Sequence, residues 1–401
     1  MVSYVIPHLG RNYLLYEHLN ELNNQSFIGF EVIIVIDADV SYPFALATEH
    51  YNYPVSVLFS GGSGPATARN IGAEAAANDI ILFTGSDCIP HKDLIARHYY
   101  YHAFTQAKIV QGYSPFHADV VTEFYEFLEA SGLQAAWSNL KNADGSWKAE
   151  ISSTFCLTTN YSVSKQLFQN VGGFNETFKA AAWEDIQLGY KMSRRSEVAV
   201  FAPDAINYHY HRYDLDSFTK RSRMEGYNRL TLCKLHPEMA WNMVNPFELR
   251  AAKEIDEYEI LRWAKELELA TYKDTDVDKQ LKHIYFSRIA ECCKIWSMKG
   301  VLDRIADEHP AMQALIHVHK AEQAIQIISG TAAIDDKRYG YASHCAQWFI
   351  TEAPDNWAAY SFCGEVELAR GNKSDAVEAF RQSIAINPGA VWPKTRIKEL
   401  V

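Results

Sequence analysis

The chain has 401 residues, 48% of them hydrophobic, and carries a formal net charge of −11 at pH 7. This length allows two or three domains with a large buried core, and the composition is that of an ordinary soluble globular protein. The negative charge argues against a general nucleic-acid-binding protein, because neutralising phosphates requires clustered Lys and Arg. We therefore expect no nucleic-acid partner.

The cysteines and the N-terminus bear on the cellular compartment. The seven cysteines are scattered without a CxxC pair, which indicates neither a disulfide framework nor a structural zinc site. No basic region or cleavage signal precedes the apolar segment at Ser3, and no apolar run approaches the ~20 residues of a membrane-spanning helix. We expect a cytoplasmic protein, either free or peripheral at the inner face of the membrane.

Short apolar segments alternate with helical ones in the N-terminal part of the chain. The helical segment Asn12–Asn23 carries leucines at helical spacing. Four segments have the pattern of buried strands: Ser3–Pro7, Glu31–Ile36, Val55–Phe59 and Ile80–Phe83. This alternation predicts an α/β fold with a mostly parallel, doubly wound, Rossmann-like sheet.

A glycine-rich loop, Gly61–Asn70, leads into a predicted helix at Ile71–Ala77. The loop lacks the Gly-Lys-Ser/Thr ending of a P-loop and the GxGxxG pattern of a Rossmann site. Its glycines would admit a phosphate near the helix N-terminus, but a simple flexible turn explains them better.

Asp87 follows the predicted strand Ile80–Phe83 after three small residues. In open α/β sheets ligands bind where the strands end, and a carboxylate there is a natural ligand for Mg²⁺ or Mn²⁺. The alternative is a turn-forming Asp close to Pro90. The sequence thus makes Asp87 a candidate cation ligand.

Two further polar clusters lie downstream. Glu184 and Asp185 stand at a predicted helix start, where carboxylates are stabilised by the helix dipole and where simple capping is the alternative role. His209 and His211 are two residues apart in a predicted strand, which directs both rings to one face. Such a pair suits a metal or phosphate site.

The order and spacing of these features resemble the nucleotide-sugar half of GT-A glycosyltransferases, in particular family 2. The matching features are Val5–Pro7 on the first strand, Asp37 after the second, Ala68–Asn70 at a helix start, and Asp87. The resemblance continues through the stretch from Phe155 to Asn175 and the acidic pair, and it covers about the first 240 residues.

The resemblance implies a donor site and a divalent cation, Mn²⁺ or Mg²⁺. In the family the carboxylate after strand two holds the nucleobase, usually uracil, and the Arg of the Arg-Asn pair orders the nucleotide pocket. The implied donor-binding residues here are Pro7, Asp37, Arg69, Ser86 and Asp87.

For the cation, the resemblance implies Asp87 and His209 as ligands. His209 is preferred over His211 because Tyr208-His209 matches the family's position better. The first carboxylate of the family's D-x-D motif falls on Gly85, so that only the last, Asp87, is retained.

The acceptor side follows from the same resemblance. Asp185 corresponds to the general base of the family's acidic motif, and Asn160, Trp183 and Glu184 are the implied acceptor-binding residues. We therefore expect transfer of a sugar, with inversion, from a UDP-linked donor to a hydroxyl of a glycan, a lipid-linked glycan or a protein. The setting that this resemblance implies is cell-surface glycan biosynthesis. The alternatives are a retaining enzyme with the same donor site, or an inactive scaffold, for which Gly85 is the best argument.

After residue 240 the pattern becomes helical, so we divide the chain into domains 1–240 and 241–401. Residues 356–388 follow the tetratricopeptide pattern, and Pro354 and Pro388 are 34 residues apart, the period of that repeat. Its predicted core residues are Trp357, Tyr360, Gly364, Ala376 and Phe380. A homodimer or a protein partner at this helical domain is expected.

Overall fold

The structure is a computed structural model. It describes residues 1–131, 137–180, 182–212, 215–236 and 337–401, with isolated positions between 262 and 334. The chain divides into two compact units, Met1–Tyr213 and Asp214–Val401. The sequence placed the domain boundary at 240, whereas this division groups the helix after residue 214 with the second unit. The predicted helices between 247 and 319 lie outside the continuously described residues.

The first unit contains one mixed sheet with helices packed on it. Its strands in the described residues are β1 (Val2–His8), β2 (Phe30–Ile36), β3 (Val55–Phe59), β4 (Ile80–Thr84), β5 (Cys88–Pro90), β6 (Ile109–Tyr113), β7 (Glu150–Ser152), β8 (Asn160–Ser164) and β9 (Val198–His209). Its helices are α1 (Asn12–Leu22), α2 (Pro65–Ala75), α3 (Leu94–Phe104), α4 (Glu123–Ser131), α5 (Lys165–Asn170) and α6 (Glu184–Ser193).

The strand order is β3-β2-β1-β4-β8-β6-β9-β5, with β7 paired to β9. The first four strands are mutually parallel, as predicted. Strand β8 is antiparallel to both β4 and β6, and β9 is parallel to β6. Strand β9 therefore runs in the same direction as β4, so the ends of β1, β2, β4 and β9 lie at one edge of the sheet.

Side chains of the central strands alternate between two faces of the sheet, and both faces are buried. This explains why these strands are apolar along most of their length. Val5 and Phe83 belong to one buried cluster, whereas Tyr4 and Leu82 belong to another. Successive side chains of a strand point to opposite faces, so both faces of this sheet are covered. Central strands with two covered faces form a rigid support for the edge at which they end.

The glycine-rich loop is shorter than the sequence indicated. Helix α2 begins at Pro65, not at Ile71, and the residue before it, Gly64, has φ 98°. Proline is favoured at the first helical position, where its missing N–H has no intrahelical partner. A Cβ on Gly64 would lie 2.6 Å from the carbonyl oxygen of Lys179, so only glycine fits this close approach. Strand β9 extends from Val198 to His209, the first of the two histidines.

The second unit is helical wherever it is described. Helix α7 spans Leu215–Leu235, and four helices lie near the C-terminus: α8 (Tyr339–Glu352), α9 (Trp357–Ala369), α10 (Lys373–Ile386) and α11 (Val391–Leu400). In the described part of the chain, no helix combines the length and the apolar character needed to cross a membrane.

Helices α9 and α10 pack closely as a hairpin. Gly364 and the ring of Phe380 meet so closely that a Cβ on the glycine would lie 2.6 Å from the ring. Ala376 and Phe380 are fully buried, whereas Trp357 and Tyr360 are half-buried. The helical nature of this region is thus confirmed, while its assignment to the tetratricopeptide class stays a prediction.

Candidate functional site

Asp87 meets two histidines at the edge where β4 and β9 end. Its Oδ2 lies 3.0 Å from His211 Nδ1, and its Oδ1 lies 3.7 Å from His209 Nε2. One possible ligand atom from each of the three side chains lies within 4.8 Å of the others. The three side chains are 17–20% exposed, so the cluster is recessed but open to a ligand.

The backbone around the cluster is held on both sides. The amide of Tyr210 donates to the carbonyl of Asp87, and the amide of His209 donates to the carbonyl of Pro115. The ring of His209 stacks on Phe116 at a centroid distance of 5.8 Å. These contacts fix the end of β9 beside the turn that carries Asp87.

The charge states of the cluster suit a divalent cation. Burial alone would raise the pKa of Asp87, but hydrogen bonds and charges from His209 and His211 hold that pKa well below its usual range. Burial lowers the pKa of His211. An ionised carboxylate and a neutral imidazole are the forms that bind metal, so the donor set fits such an ion.

Asp37 follows β2 at the same edge. Its Oδ1 accepts hydrogen bonds from Ser60 Oγ at 2.5 Å and from the amide of Gly64 at 3.0 Å. Among the described residues, Oδ2 has no hydrogen-bond partner. Asp37 therefore fixes the glycine-rich loop with one oxygen and keeps the other for a ligand. Pro7 in β1 and Ser86 before Asp87 are partly exposed.

A second charged cluster lies at the start of α6. Arg69 Nη1 donates to Glu184 Oε1 at 2.8 Å, with side-chain exposures of 10% and 3%. The other oxygen of Glu184 accepts from the amide of Ala182 at 2.9 Å. The backbone φ angles are 113° at Ala182 and 75° at Trp183. Such values are costly for a bulky residue, and surrounding contacts must hold the turn in place.

Asn70 anchors the segment that leads to this turn. Its Nδ2 donates to the carbonyl of Phe174 at 3.0 Å, and its Oδ1 accepts from the amide of the same residue at 2.9 Å. The guanidinium of Arg69 lies over the Phe174 ring, 5.5 Å from its centroid. The adjacent residues of α2 therefore hold the acidic turn from two directions.

Asp185 is the second residue of α6 and has an unusual ionisation. Burial and the neighbouring Glu184 raise its pKa to about 7, although Arg69 acts in the opposite direction. Its Oδ1 accepts from the amide of Ile186 at 2.8 Å. A carboxyl group that titrates near neutrality is suited to accept a proton during catalysis.

Comparison with known families finds a match in the N-terminal part of the chain. Residues 3–172 match the sequence model described as glycosyl transferase family 2. This segment is a family 2 glycosyltransferase domain. Asp37, Arg69 and Asp87 lie within the matched segment, whereas Asp185 and His209 lie beyond its end.

Individual relatives match the chain less completely. An uncharacterized glycosyltransferase of Haemophilus influenzae is 33% identical over 88 residues, which are 22% of this chain and 29% of that protein. The chain therefore spans less than a third of that relative's length.

Two solved structures show distant similarity. The crystal structure of S. aureus TarS has 16% identity and a TM-score of 0.42, with 74% of this chain and 54% of that chain covered. Mannosyltransferase PcManGT from Pyrobaculum calidifontis, in complex with GDP-Man and Mn²⁺, has 15% identity and a TM-score of 0.41. That match covers 84% of this chain and 86% of the other.

Several residues of the family 2 domain do not lie where the sequence analysis expected. Asn160, expected at the acceptor, is fully buried. Its Oδ1 lies 2.7 Å from His98 Nε2, and its Nδ2 donates to the carbonyls of Tyr113 and Ala205. Every polar atom of its side chain is thus used inside the sheet, because a buried amide must find partners. The structure places Asn160 in the core and not at an acceptor surface.

Arg69 and Glu184 are also interior residues. Arg69, expected in the donor pocket, is 8% exposed, and Glu184, expected at the acceptor, is 2% exposed. Their ion pair orients the turn at Trp183, and so they contribute to the position of Asp185. Arg69 Nε is buried without a hydrogen-bond partner among the described residues.

Two residues at the Asp87 cluster were missed by sequence reasoning. His211 was set aside for His209, yet it is the closer of the two to Asp87. The two-residue spacing in a strand was the signal for including both. Arg11 was not singled out at all: its Nη2 lies 3.6 Å from Asp87 Oδ2 and its Nη1 lies 3.2 Å from His211 Nδ1.

Gly85 occupies the position of the carboxylate that the family's D-x-D motif would supply. A Cβ built on Gly85 would lie 2.8 Å from Asp87 Oδ1, closer than real Cβ contacts allow. The present position of the Asp87 carboxylate between the two histidines therefore depends on the absence of a side chain at residue 85.

Proposed function

We propose that this protein is a metal-assisted glycosyltransferase that moves a sugar from a nucleotide-sugar donor to an acceptor hydroxyl. The observation that supports it best is the group of Asp87, His209 and His211 at the carboxyl edge of a family 2 domain. Ligands of open α/β sheets bind at such an edge. Asp37 follows another strand at this edge and supplies a free carboxylate oxygen.

Asp37 is proposed to recognise the nucleobase. Its available Oδ2 accepts a ring N–H, which uracil offers and guanine offers as well. We favour a UDP-linked donor from the family resemblance. Pro7 and Ser86 are the further proposed donor contacts, whereas Arg69 contributes indirectly through its ion pair with Glu184.

Asp87, His209 and His211 would hold the divalent cation. One carboxylate with two imidazoles favours Mn²⁺ over Mg²⁺, because Mg²⁺ prefers ligand sets made of oxygen alone. When bound, the cation would neutralise charge on the leaving nucleoside diphosphate. The recessed side chains would keep the diphosphate at the edge, with the anomeric carbon turned towards the acceptor.

Asp185 is proposed as the general base. It takes the proton of the acceptor hydroxyl while that oxygen bonds to the anomeric carbon and the bond to the donor phosphate breaks, releasing the nucleoside diphosphate. Attack opposite the leaving group inverts the anomeric centre. Arg69 and Glu184 hold the turn that carries the base, and Trp183 is the proposed aromatic contact for the acceptor.

The acceptor class is proposed from the family resemblance. A glycan, a lipid-linked glycan or a protein each offers the required hydroxyl, and we favour a growing cell-surface glycan, made from the cytoplasmic side of the membrane. The helical second unit would then position a large acceptor, or join two copies of the chain.

The decisive experiment is hydrolysis of a panel of UDP- and GDP-linked sugars with Mn²⁺, compared with the same panel in EDTA. We expect one donor class to be hydrolysed only with the metal. Asp87→Ala should abolish metal-dependent binding of the nucleoside diphosphate, measured by calorimetry. Asp79→Ala is the matched control, because Asp79 is an exposed carboxylate just before the other end of β4.

Two results would contradict the proposal. Unchanged Mn²⁺-dependent affinity in Asp87→Ala would remove Asp87 from the site. Absence of hydrolysis and of nucleotide binding across the whole panel would favour the inactive scaffold instead.

A further inference from the structure

Arg11 contacts two of the three side chains proposed to hold the cation. It follows Gly10 in the loop between β1 and α1, and its backbone is left-handed, with φ 43° and ψ 45°. Its side chain is 49% exposed and reaches Asp87 Oδ2 and His211 Nδ1. A guanidinium cation therefore lies where the electron pairs of two cation ligands point.

Arg11 and a bound metal cannot use these atoms at the same time. Arginine only donates hydrogen bonds, so its contact with His211 Nδ1 uses the lone pair that a metal would need. Its positive charge also repels a divalent ion at this distance, because the charges are separated by little solvent. Arg11 must therefore move before Asp87 Oδ2 and His211 Nδ1 bind a cation together.

The contacts of Arg11 are weak enough to exchange. His211 Nδ1 lies 3.0 Å from Asp87 Oδ2 and 3.2 Å from Arg11 Nη1. The carboxylate needs a proton on that nitrogen, whereas the guanidinium needs a lone pair. Both contacts cannot be full hydrogen bonds at once. The 3.6 Å distance from Arg11 to Asp87 Oδ2 is also longer than a strong charge-assisted hydrogen bond.

The donor's diphosphate supplies better partners for Arg11. The planar guanidinium pairs with phosphate oxygens through two parallel hydrogen bonds, and a half-exposed arginine side chain can reorient without disturbing the core. Movement onto the diphosphate would free the Asp87 and His211 atoms for the cation.

We propose that Arg11 is a diphosphate-binding residue that occupies the cation site until the donor draws it away. The inference rests on the proposed function, since it takes a nucleoside diphosphate as the ligand. It makes the binding of metal and of nucleotide mutually favourable: each ligand binds more tightly when the other is present, by the same factor.

The test is a calorimetric cycle on the full chain. Mn²⁺ alone, UDP or GDP alone, and each nucleotide with saturating Mn²⁺ are titrated into the wild type and into Arg11→Gln. Arg11→Gln should bind Mn²⁺ alone more tightly, by about 5-fold or more, while the metal–nucleotide coupling factor falls towards 1. Arg11→Lys should lie between the two, because lysine keeps the charge but not the bidentate geometry.

Arg97→Gln is the matched control. Arg97 is 47% exposed and pairs with Asp204 at 3.3 Å, so its loss removes a comparable surface charge elsewhere in the same unit. It should change neither Mn²⁺ affinity nor the coupling factor.

The outcomes distinguish the role of Arg11 from the proposed glycosyltransferase function. Equal or weaker Mn²⁺ binding by Arg11→Gln, or an unchanged coupling factor, would overturn the role of Arg11. If the cycle behaves as expected but no sugar is transferred or hydrolysed, the proposed function fails while Arg11 keeps its role. If neither the wild type nor Arg11→Gln binds Mn²⁺, with or without nucleotide, the role of Arg11 and the proposed function are both overturned.

Discussion

Two of the arginine–carboxylate pairs in the first unit differ in burial and in distance. Arg69 and Glu184 lie 2.8 Å apart with side chains 10% and 3% exposed, whereas Arg11 and Asp87 lie 3.6 Å apart with exposures of 49% and 20%. The first pair is short, buried and supported by the amide of Ala182. The second is long and open to solvent.

The difference in burial indicates that one pair positions the backbone and the other takes part in ligand binding. Breaking a buried ion pair leaves an uncompensated charge in the interior, so the Arg69–Glu184 pair acts as a permanent support. A half-exposed pair contributes little to stability and exchanges partners readily. We infer that Arg69–Glu184, the inner pair, holds the acidic turn. Arg11–Asp87, the outer pair, belongs to a site whose partners change when ligands bind.

The largest effect is expected at the residue that the inner pair supports. Asp185→Asn keeps the shape of the side chain but cannot take a proton, so transfer should fall by about 10²–10⁴-fold. Nucleotide binding should remain, since Asp185 acts on the acceptor. The measurement is the transfer rate beside calorimetric nucleotide affinity. A near-normal rate would leave Asp185 as a helix-capping residue only.

Removing one member of the inner pair should destabilise the fold. Arg69→Met leaves Glu184 buried and unpaired, a change that costs about 3–5 kcal/mol in comparable cases. Chemical denaturation of the variant measures this loss. The double variant Arg69→Met with Glu184→Gln should recover part of it, because no unpaired charge remains.

The matched control for this prediction is Arg97→Met, which breaks the exposed Arg97–Asp204 pair. Exposed pairs contribute about 0–1 kcal/mol. If Arg69→Met were no more destabilising than Arg97→Met, the distinction between a fixed and an exchangeable pair would be wrong.

The smallest expected effect is a pH dependence of folding stability that comes from Asp185. Its raised pKa means that the folded protein keeps a proton that the unfolded chain releases above about 4. Stability contributed by this group is therefore lost as the pH rises from about 4 to about 7. The melting temperature of Asp185→Asn relative to wild type should increase across this window, and the wild-type transfer rate should rise with pH near its upper end. A constant difference in melting temperature would argue that Asp185 titrates normally.

The sequence predicted the sheet and part of the cation site for a clear physical reason. Buried parallel strands are apolar on both faces and end at one edge, so Asp37 and Asp87 were located by counting from the strand ends. The two-residue period of a strand also placed His209 and His211 on one face. The preference for His209 alone came from the family pattern and not from this geometry.

The remaining contacts depend on tertiary structure that sequence patterns do not record. Arg11 and Asp87 are far apart in the chain, and their meeting depends on a left-handed residue after Gly10. Burial of Asn160 depends on carbonyl groups contributed by β9 and by the end of β6. Arg69 and Glu184, which join two helices by their ion pair, are 115 positions apart in the sequence. No local pattern specifies such partners.

Gly85 has a consequence for how the site can be changed by mutation. Any side chain at this position meets the Asp87 carboxylate, which the two histidines hold. Gly85→Asp would therefore not simply add a ligand, since it would first displace an existing one. A D-x-D arrangement and the present Asp-His-His arrangement therefore place different demands on one carboxylate, because Asp87 Oδ1 must shift before residue 85 can carry a side chain.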